Sequence, residues 1–226
     1  KGLPFEFKDH RFLLDIFRDW TPIQTGRKAS QVGWSTLEIL KTLYAAKYKK
    51  FNVIYSLPTF NDVGQFVPSK VNPIINQNAQ LGEWTKDKDS VNQKKVGDRF
   101  IYYRGASSGK MQKDEMESGT GIMLTADLLV MDESDRSTQA ILEQYESRLA
   151  ASDYKGRWYF SNPTHPNTLT QKMWDKSDQK HWFIECPHCG EQQYLDWFEN
   201  VDKEREIYVC KKCRGEIDDD TRRNGW

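Results

Sequence analysis

The chain has 226 residues, 13% of them aromatic, which is enough for one sizeable core with a small appended module and excludes a disordered chain. Lysine plus arginine equals aspartate plus glutamate at 33 each, which excludes the strongly basic footprint of a passive nucleic-acid binder, so any contact with DNA must be local. No apolar run approaches the roughly 18 residues of a membrane span, and the amino terminus lacks the apolar core of a signal peptide, so we expect a soluble intracellular protein with no membrane partner.

Helix and strand patterns alternate along most of the chain. Apolar residues at helical spacing predict three helices, which begin near Phe12, at Ser35 and at Thr138. Apolar or aromatic runs predict strands at 23–25, 52–57, 100–103, 128–131 and 158–160. Residues 60–80 also have near-helical spacing, but Pro68 and Pro73 are expected to break or kink any helix there. The alternation predicts an α/β fold with a mostly parallel central sheet and helices on both faces.

The pattern changes after about residue 180, where short aromatic segments flank paired cysteines. We therefore predict two domains, a main α/β domain over residues 1–180 and an appended module over residues 181–226. Within the first domain, the Gly- and Ser-rich stretch Gly105–Gly121 predicts a mobile connection.

The segment Lys28-Ala-Ser-Gln-Val-Gly-Trp-Ser35 has the parts of a phosphate-binding loop. Such a loop requires backbone N–H groups aimed at anionic oxygens, a helix amino terminus behind them, a cation, and a hydroxyl for magnesium. In the usual Walker A pattern, Gly-x4-Gly-Lys-Ser/Thr, the lysine follows the second glycine. Here Trp34 stands in that place, and Lys28 stands at the position of the first glycine.

A lysine at the start of the loop can reach the same phosphates by crossing it, while Gly33 keeps the tight turn. The alternative is an ordinary capped helix start without a ligand. We predict that the nucleotide-binding residues are Lys28, Ala29, Ser30, Gln31, Val32, Gly33, Trp34, Ser35 and Thr36.

An acidic pair follows the most continuous apolar run, Leu128-Leu-Val-Met131. Ligands of open parallel sheets bind at the carboxyl ends of strands, where Asp132 and Glu133 would lie. As in a Walker B motif, Asp132 together with Ser35 is predicted to bind Mg²⁺, and Glu133 to polarise the attacking water. An acidic turn after a strand is also common without function. Loop and acidic pair together predict ATP hydrolysis on a P-loop NTPase fold with three layers.

Four cysteines occur in two pairs, Cys186-Pro-His-Cys189 and Cys210-Lys-Lys-Cys213. Their spacing predicts a tetrahedral four-thiolate Zn²⁺ site in a small zinc-ribbon-like module, with free thiols as the alternative. Four sulfurs leave no open coordination position, so this zinc would be structural, and His188 is expected not to be a ligand.

The deviant loop and the acidic pair resemble those of the large subunit of the tailed-phage terminases, in particular the lambda-type DNA-packaging family. The loop of that family likewise carries its lysine early. Phe5–Phe12 resembles the family's amino-terminal lead-in, and Leu57-Pro-Thr59 its post-strand motif. Ser161-Asn162-Pro163-Thr164 is similar to the coupling motif that transmits hydrolysis to DNA movement. For this last segment a proline-terminated turn is the alternative.

The resemblance also implies further site residues. Terminase-type motors use an arginine to stabilise charge on the transferred phosphate. Arg104 is our first candidate and Arg27 the second, although a solvated or ion-paired side chain is the alternative for each. Arg27, beside the loop, is also predicted to bind the nucleotide and to share the phosphates with Lys28. The adenine is expected near the lead-in, with Gln24 reading its edge or, alternatively, simply exposed to solvent.

The resemblance implies a motor that uses ATP to move double-stranded viral DNA into a procapsid. Its expected partners are double-stranded DNA, the portal and the small terminase subunit, and it is expected to act as a homo-oligomeric ring at the portal in the host cytoplasm. The alternatives are a helicase-like nucleic-acid translocase and a zinc-ribbon binding module on an inactive nucleotide fold. Asp218–Asp220 is interpreted as a solvated charge cluster, so no nuclease activity is expected from this chain.

Overall fold

The computed structural model describes residues 6–8, 10–85, 90–107, 124–163 and 165–226. The chain divides into two compact units, called unit 1 and unit 2 below. Unit 1 contains Trp20–Ser177, and unit 2 combines Asp178–Trp226 with the segment that ends at Asp19. No helix within the described ranges is long and apolar enough to cross a membrane.

Within the described residues, unit 1 is built on a six-stranded sheet. Its strands are β1 (Ile23–Arg27), β2 (Val53–Leu57), β3 (Gln93–Val96), β4 (Arg99–Gly105), β5 (Leu128–Asp132) and β6 (Gly156–Ser161). Their order across the sheet is β1-β6-β5-β2-β4-β3, and only the β3–β4 pair is antiparallel. The predicted mostly parallel sheet is confirmed.

Helical segments connect the strands of this sheet and also occur in unit 2. In chain order the described α-helices are α1 (Phe12–Arg18), α2 (Trp34–Tyr44), α3 (Phe60–Phe66), α4 (Asn72–Asn76), α5 (Ala79–Thr85), α6 (Gln139–Glu146), α7 (Leu169–Trp174), α8 (Trp197–Asn200) and α9 (Asp219–Arg223). Two π-helical segments, Ala45–Lys49 and Val67–Val71, continue α2 and α3. Short 3₁₀ turns at Ser134–Arg136 and Ser147–Leu149 flank α6.

Side chains of the central strands alternate between two apolar clusters, which lie on opposite faces of the sheet. Val53 and Tyr55 of β2 belong to the cluster that contains residues of α2 and α3. Ile54, between them, belongs to the cluster that contains residues of α6. Every residue of β2 and β5 is buried, as expected of parallel strands that are covered on both faces. Unit 1 therefore has three layers, helix, sheet and helix.

The helical region after β2 differs from the sequence prediction. Pro68 lies in the first turn of the π-helical segment Val67–Val71, and Pro73 lies in the first turn of α4. Each proline therefore lies near the start of a new segment within one helical region, where one helix type changes to the next. The chain consequently stays helical from Phe60 to Asn76, and the expected break does not occur.

One strand of unit 1 was not predicted from the sequence, and one predicted segment lies mostly outside the described residues. Strand β3, with the sequence Gln-Lys-Lys-Val, was not predicted because its charged residues suit an edge strand and carry little apolar signal. The predicted mobile connection Gly105–Gly121 lies outside the described residues, apart from residues 105–107.

Unit 2 contains two small antiparallel sheets, β7 (Phe183–Glu185) with β8 (Gln192–Tyr194) and β9 (Val201–Asp202) with β10 (Ile207–Tyr208). The amino-terminal segment packs on this unit, where the rings of Phe12 and Trp182 lie 6.0 Å apart. Phe12 is the first residue of α1, so this helix belongs to unit 2, whereas the sequence prediction placed residues 1–180 in one domain. The break between the units at Ser177 lies close to the predicted boundary.

Candidate nucleotide-binding site and cysteine cluster

The loop between β1 and α2 folds tightly at two left-handed residues. Gln31 and Gly33 have φ values of 61° and 79°. Left-handed residues within a tight loop turn successive backbone N–H groups toward one side, an arrangement that binds anions. Gly33 is also the N-cap of α2 and supplies no side-chain hydrogen bond, so the first N–H groups of the helix remain for a ligand.

The two acids occupy the carboxyl end of the central strand β5. Asp132 is the last residue of the strand and is 2% exposed. Glu133 follows in a left-handed conformation with φ 54°, which is strained for a residue other than glycine. This turn sends the Glu133 side chain out of the sheet, where it is 28% exposed.

Lys28 joins the loop to both acids. Its Nζ atom lies 2.7 Å from Asp132 Oδ1 and 2.8 Å from Glu133 Oε1, although 104 residues separate Lys28 from Asp132. The same Nζ lies 3.3 Å from Ser35 Oγ, and this hydroxyl donates to Asp132 Oδ2 at 2.8 Å. The fold thus brings the predicted cation, hydroxyl and carboxylates together at one point.

Electrostatics keep Lys28 charged and leave Asp132 well supplied with donors. Burial opposes protonation of Lys28, but the charges and hydrogen bonds of Asp132 and Glu133 outweigh it and raise the pKa of Lys28 above its ordinary value. Tyr55 donates to Asp132 Oδ2 at 3.0 Å, and burial with the nearby Asp132 charge raises the pKa of Tyr55 well above its usual range. The tyrosine therefore remains a neutral donor at physiological pH.

A cavity of about 480 Å³ opens beside these groups, within the range of small-molecule sites. All nine predicted loop residues line it. Its full lining is Lys28, Ala29, Ser30, Gln31, Val32, Gly33, Trp34, Ser35, Thr36, Leu57, Phe66, Lys70, Asp132, Glu133 and Asn162.

Sequence reasoning missed three residues of this site. Tyr55 gave no signal beyond a tyrosine in an otherwise aliphatic strand, and its contact with Asp132 follows from the pairing of β2 with β5. Phe66 and Lys70 line the cavity from the helical region after β2, which was predicted only as interrupted helix. The Lys70 ammonium lies 5.6 Å from the centre of the Phe66 ring, and the Lys70 side chain is exposed.

The predicted coupling segment contacts both the acid and the loop. Ser161 Oγ lies 3.5 Å from Glu133 Oε2, and the Asn162 side chain donates to Ser30 Oγ at 3.4 Å. The backbone N–H of Lys28 donates to the Ser161 carbonyl at 3.0 Å. Pro163 follows without lining the cavity, and Thr164 lies outside the described residues.

Three other predicted residues lie away from the cavity lining. Arg104 donates to the carbonyl of Asn92, which directly precedes edge strand β3, and to that of its own neighbour in β4, Tyr103, both at 2.9 Å. Arg27 stands over the Trp174 ring at 5.7 Å. Gln24 bonds to the Thr21 carbonyl and accepts from Lys41. The structure does not bring these three side chains together with Lys28 and the acids.

In unit 2 the four cysteines converge. The sulfur atoms of Cys186, Cys189, Cys210 and Cys213 all lie within 4.8 Å of one another. The Cys186–Cys213 and Cys189–Cys210 sulfur distances are both 3.7 Å. Tetrahedral zinc with Zn–S bonds of about 2.3 Å separates its sulfurs by about 3.8 Å, so the cluster could hold such a metal.

Both cysteine pairs have the same backbone turn. Gly190 and Arg214 each follow the second cysteine, adopt a positive φ, and donate their N–H to the carbonyl of the first cysteine. Gln193 donates to Cys210 Sγ at 3.2 Å. His188 bonds instead to the Glu216 carbonyl at 2.9 Å and is not part of the cluster.

Comparison with known proteins identifies the family of this chain. The family model described as "Phage terminase large subunit gpA, ATPase domain" matches residues 25–226. The chain belongs to this family. The terminase large subunit of Escherichia phage lambda is 26% identical over 176 residues, which cover 74% of this chain and 27% of the lambda protein.

The solved structures include a protein of similar fold, the large terminase from the thermophilic bacteriophage D6E. The TM-score is 0.53 at 16% sequence identity, covering 78% of this chain and 43% of that protein. This likeness supports the fold, a mixed α/β terminase domain. The chain spans about a quarter of the length of the lambda terminase subunit and less than half of the D6E protein.

Proposed function

We propose that this terminase domain hydrolyses ATP with Mg²⁺ and uses the energy to move double-stranded viral DNA into a procapsid. The meeting of Lys28 with Asp132 and Glu133, beside a cavity lined by the loop, is the observation that carries the proposal. Membership of the terminase family supports the DNA-packaging role.

The loop and Lys28 would hold the phosphates. Without a ligand, the Lys28 ammonium satisfies two carboxylates, and an anionic phosphate in the cavity offers it equivalent partners. The N–H groups at the start of α2 are aimed at the same space. Lys70, exposed on the cavity lining, is a second cation available to phosphate oxygens. Ala29 to Thr36 supply the surrounding wall.

Ser35 and Asp132 suit a magnesium ion, because both present oxygen atoms and these oxygens lie 2.8 Å apart at the cavity. Bound Mg²⁺ would neutralise charge that develops on the phosphates. Asp132 is nearly buried and receives donors from Tyr55 and Lys28, which hold its carboxylate in one orientation.

Glu133 would be the general base. Its left-handed turn and partial exposure place a carboxylate at the cavity beside Lys28, in position to orient a water for in-line attack. Ser161 and Asn162 would couple this step to movement, since they contact Glu133 and the loop residue Ser30, respectively. Pro163 and Thr164 complete the proposed coupling segment by resemblance.

Unit 2 would be a structural zinc module. The thiolate set, the sulfur distances and the paired backbone turns support a Cys₄ site that holds Zn²⁺. By resemblance, the partners would be DNA, the portal and the small terminase subunit, and the active form a homo-oligomeric ring at the portal in the host cytoplasm.

Phosphate release with and without double-stranded DNA tests the proposed function. We expect the purified protein to release phosphate from ATP, and duplex DNA to increase the rate. Single-stranded DNA is the control, because stimulation by single strands alone would favour a helicase-like translocase. A chain that binds DNA but never releases phosphate would instead be a binding module on an inactive nucleotide fold.

Metal analysis tests the zinc module. We expect one zinc per chain, lost in Cys186→Ser because a thiolate ligand is removed, with melting of unit 2 at lower temperature. Elemental mass spectrometry with thermal unfolding measures both. The matched control is His188→Ala, which removes a cluster neighbour that is not a ligand and should retain zinc. Wild-type protein that is zinc-free with reduced thiols would contradict the assignment.

A further inference from the structure

Trp34, at the usual lysine position of the loop, packs its side chain against strands β1 and β6. Trp34 packs on the backbone of Gly26 so closely that a Cβ atom at position 26 would overlap the indole ring. The same ring stacks on Phe160 at a centroid distance of 6.1 Å and an interplanar angle of 28°. Gly26 and Phe160 are register partners in the β1–β6 pair, so the indole lies across these two strands.

A buried carboxylate holds the other end of the indole. Trp34 Nε1 donates to Glu38 Oε1 at 3.2 Å, one turn further along α2. Glu38 is only 1% exposed. Breaking a hydrogen bond to a buried carboxyl group costs free energy, so this contact restricts the indole ring to one orientation.

Phe160 connects this packing to Lys28. The Lys28 ammonium lies 5.7 Å from the centre of the Phe160 ring, which also stacks on Trp34. The backbone of Lys28 is held to β6 through the Ser161 carbonyl, one residue beyond Phe160. Trp34 therefore supports the aromatic surface beside which the Lys28 side chain extends toward Asp132 and Glu133.

We propose that Trp34 is a positioning residue that, through Gly26 and Phe160, sets the loop so that the early lysine Lys28 meets the phosphates. This role rests on the proposed ATP hydrolysis. It explains how the loop binds phosphates with its lysine at position 28 instead of position 34. Position 34 supplies support, and position 28 supplies charge. A lysine at position 34 could not replace Trp34 in this role, because the side chain at this position packs on Gly26 of β1 and Phe160 of β6.

A double-mutant cycle on nucleotide affinity tests this role. The probe is an ATP analogue with a non-hydrolysable β–γ bridge, titrated with Mg²⁺ into the purified full chain. We expect Trp34→Ala to weaken binding about tenfold and to lower ATP turnover roughly a hundredfold through misplacement of Lys28. In a Lys28→Ala background, Trp34→Ala should cause no further loss of affinity, because it acts through Lys28.

Two further variants separate positioning from folding. Trp34→Phe keeps a ring on Gly26 and Phe160 but loses the bond to Glu38, so we expect a smaller loss of affinity, roughly threefold. Trp84→Phe, a tryptophan outside the cavity lining, is the matched control and should bind like the wild type. Thermal unfolding of each variant defines a temperature at which all are folded.

The outcomes distinguish this role from the proposed function. Unchanged affinity in Lys28→Ala would overturn the proposed function itself. Weakened affinity in Lys28→Ala, with unchanged affinity or additive loss in the Trp34 variants, would overturn only the role of Trp34. Restored affinity in the combined variant Lys28→Ala with Trp34→Lys would also overturn it, because position 34 would then reach the phosphates directly.

Discussion

Glu133→Gln is expected to reduce ATP turnover by roughly 10²- to 10⁴-fold, the usual contribution of a general base, while ATP binding is retained. Glutamine keeps the size of the side chain and its hydrogen bonds but cannot accept a proton from water. It also keeps the strained turn at φ 54° in a residue other than glycine, so the fold should change little. Phosphate release and nucleotide titration on the same preparation measure the two effects.

The matched control for this variant is Glu143→Gln, an exposed glutamate of α6 that accepts only from Gln139 among its described contacts. It should hydrolyse ATP at the wild-type rate. Full turnover in Glu133→Gln would remove the general-base role from this residue. Loss of binding together with turnover would show that Glu133 acts mainly by holding the loop through Lys28.

Lys28→Ala is expected to weaken ATP binding by roughly 10- to 150-fold, the equivalent of one charge-assisted hydrogen bond of about 1.5–3 kcal/mol, and to abolish measurable turnover. The variant removes the cation that the two carboxylates share. Asp132 keeps its donors Ser35 and Tyr55, so the site should stay folded. Nucleotide titration and thermal unfolding check these expectations.

Two lysine variants bracket this result. Lys172→Ala removes an exposed lysine of α7 that does not line the cavity, and it should leave binding unchanged. Lys28→Arg keeps the charge but replaces a compact ammonium by a planar guanidinium, so it should recover only part of the affinity. Wild-type ATP affinity in Lys28→Ala would contradict the assignment of the early lysine.

The sequence predicted the loop and the acidic pair of the site, but not the residues that contact them from other elements. The parallel strands, the loop and the acidic pair carry local patterns, namely continuous apolar runs, a glycine before a helix, and acids at a strand end. Tyr55, Phe66 and Lys70 carry no such pattern. The contact of Tyr55 with Asp132 follows from strand order, and the place of Phe66 and Lys70 at the cavity follows from the helical region after β2. Arg104 lies near the end of its expected strand, yet its side chain bonds to the carbonyls of Tyr103 and of Asn92, and no local pattern revealed the contact with Asn92.

The sequence by itself determined the α/β alternation, the identity of the loop and acid residues, and the spacing of the four cysteines. Each of these features is a pattern of residues that are close together in the chain. Only the tertiary structure decided that Lys28 contacts Asp132, 104 positions away, and that Trp34 packs on Gly26. It also decided that α1 packs with unit 2. These outcomes depend on which strands are adjacent and which faces are covered, and such contacts join residues that are distant in the chain.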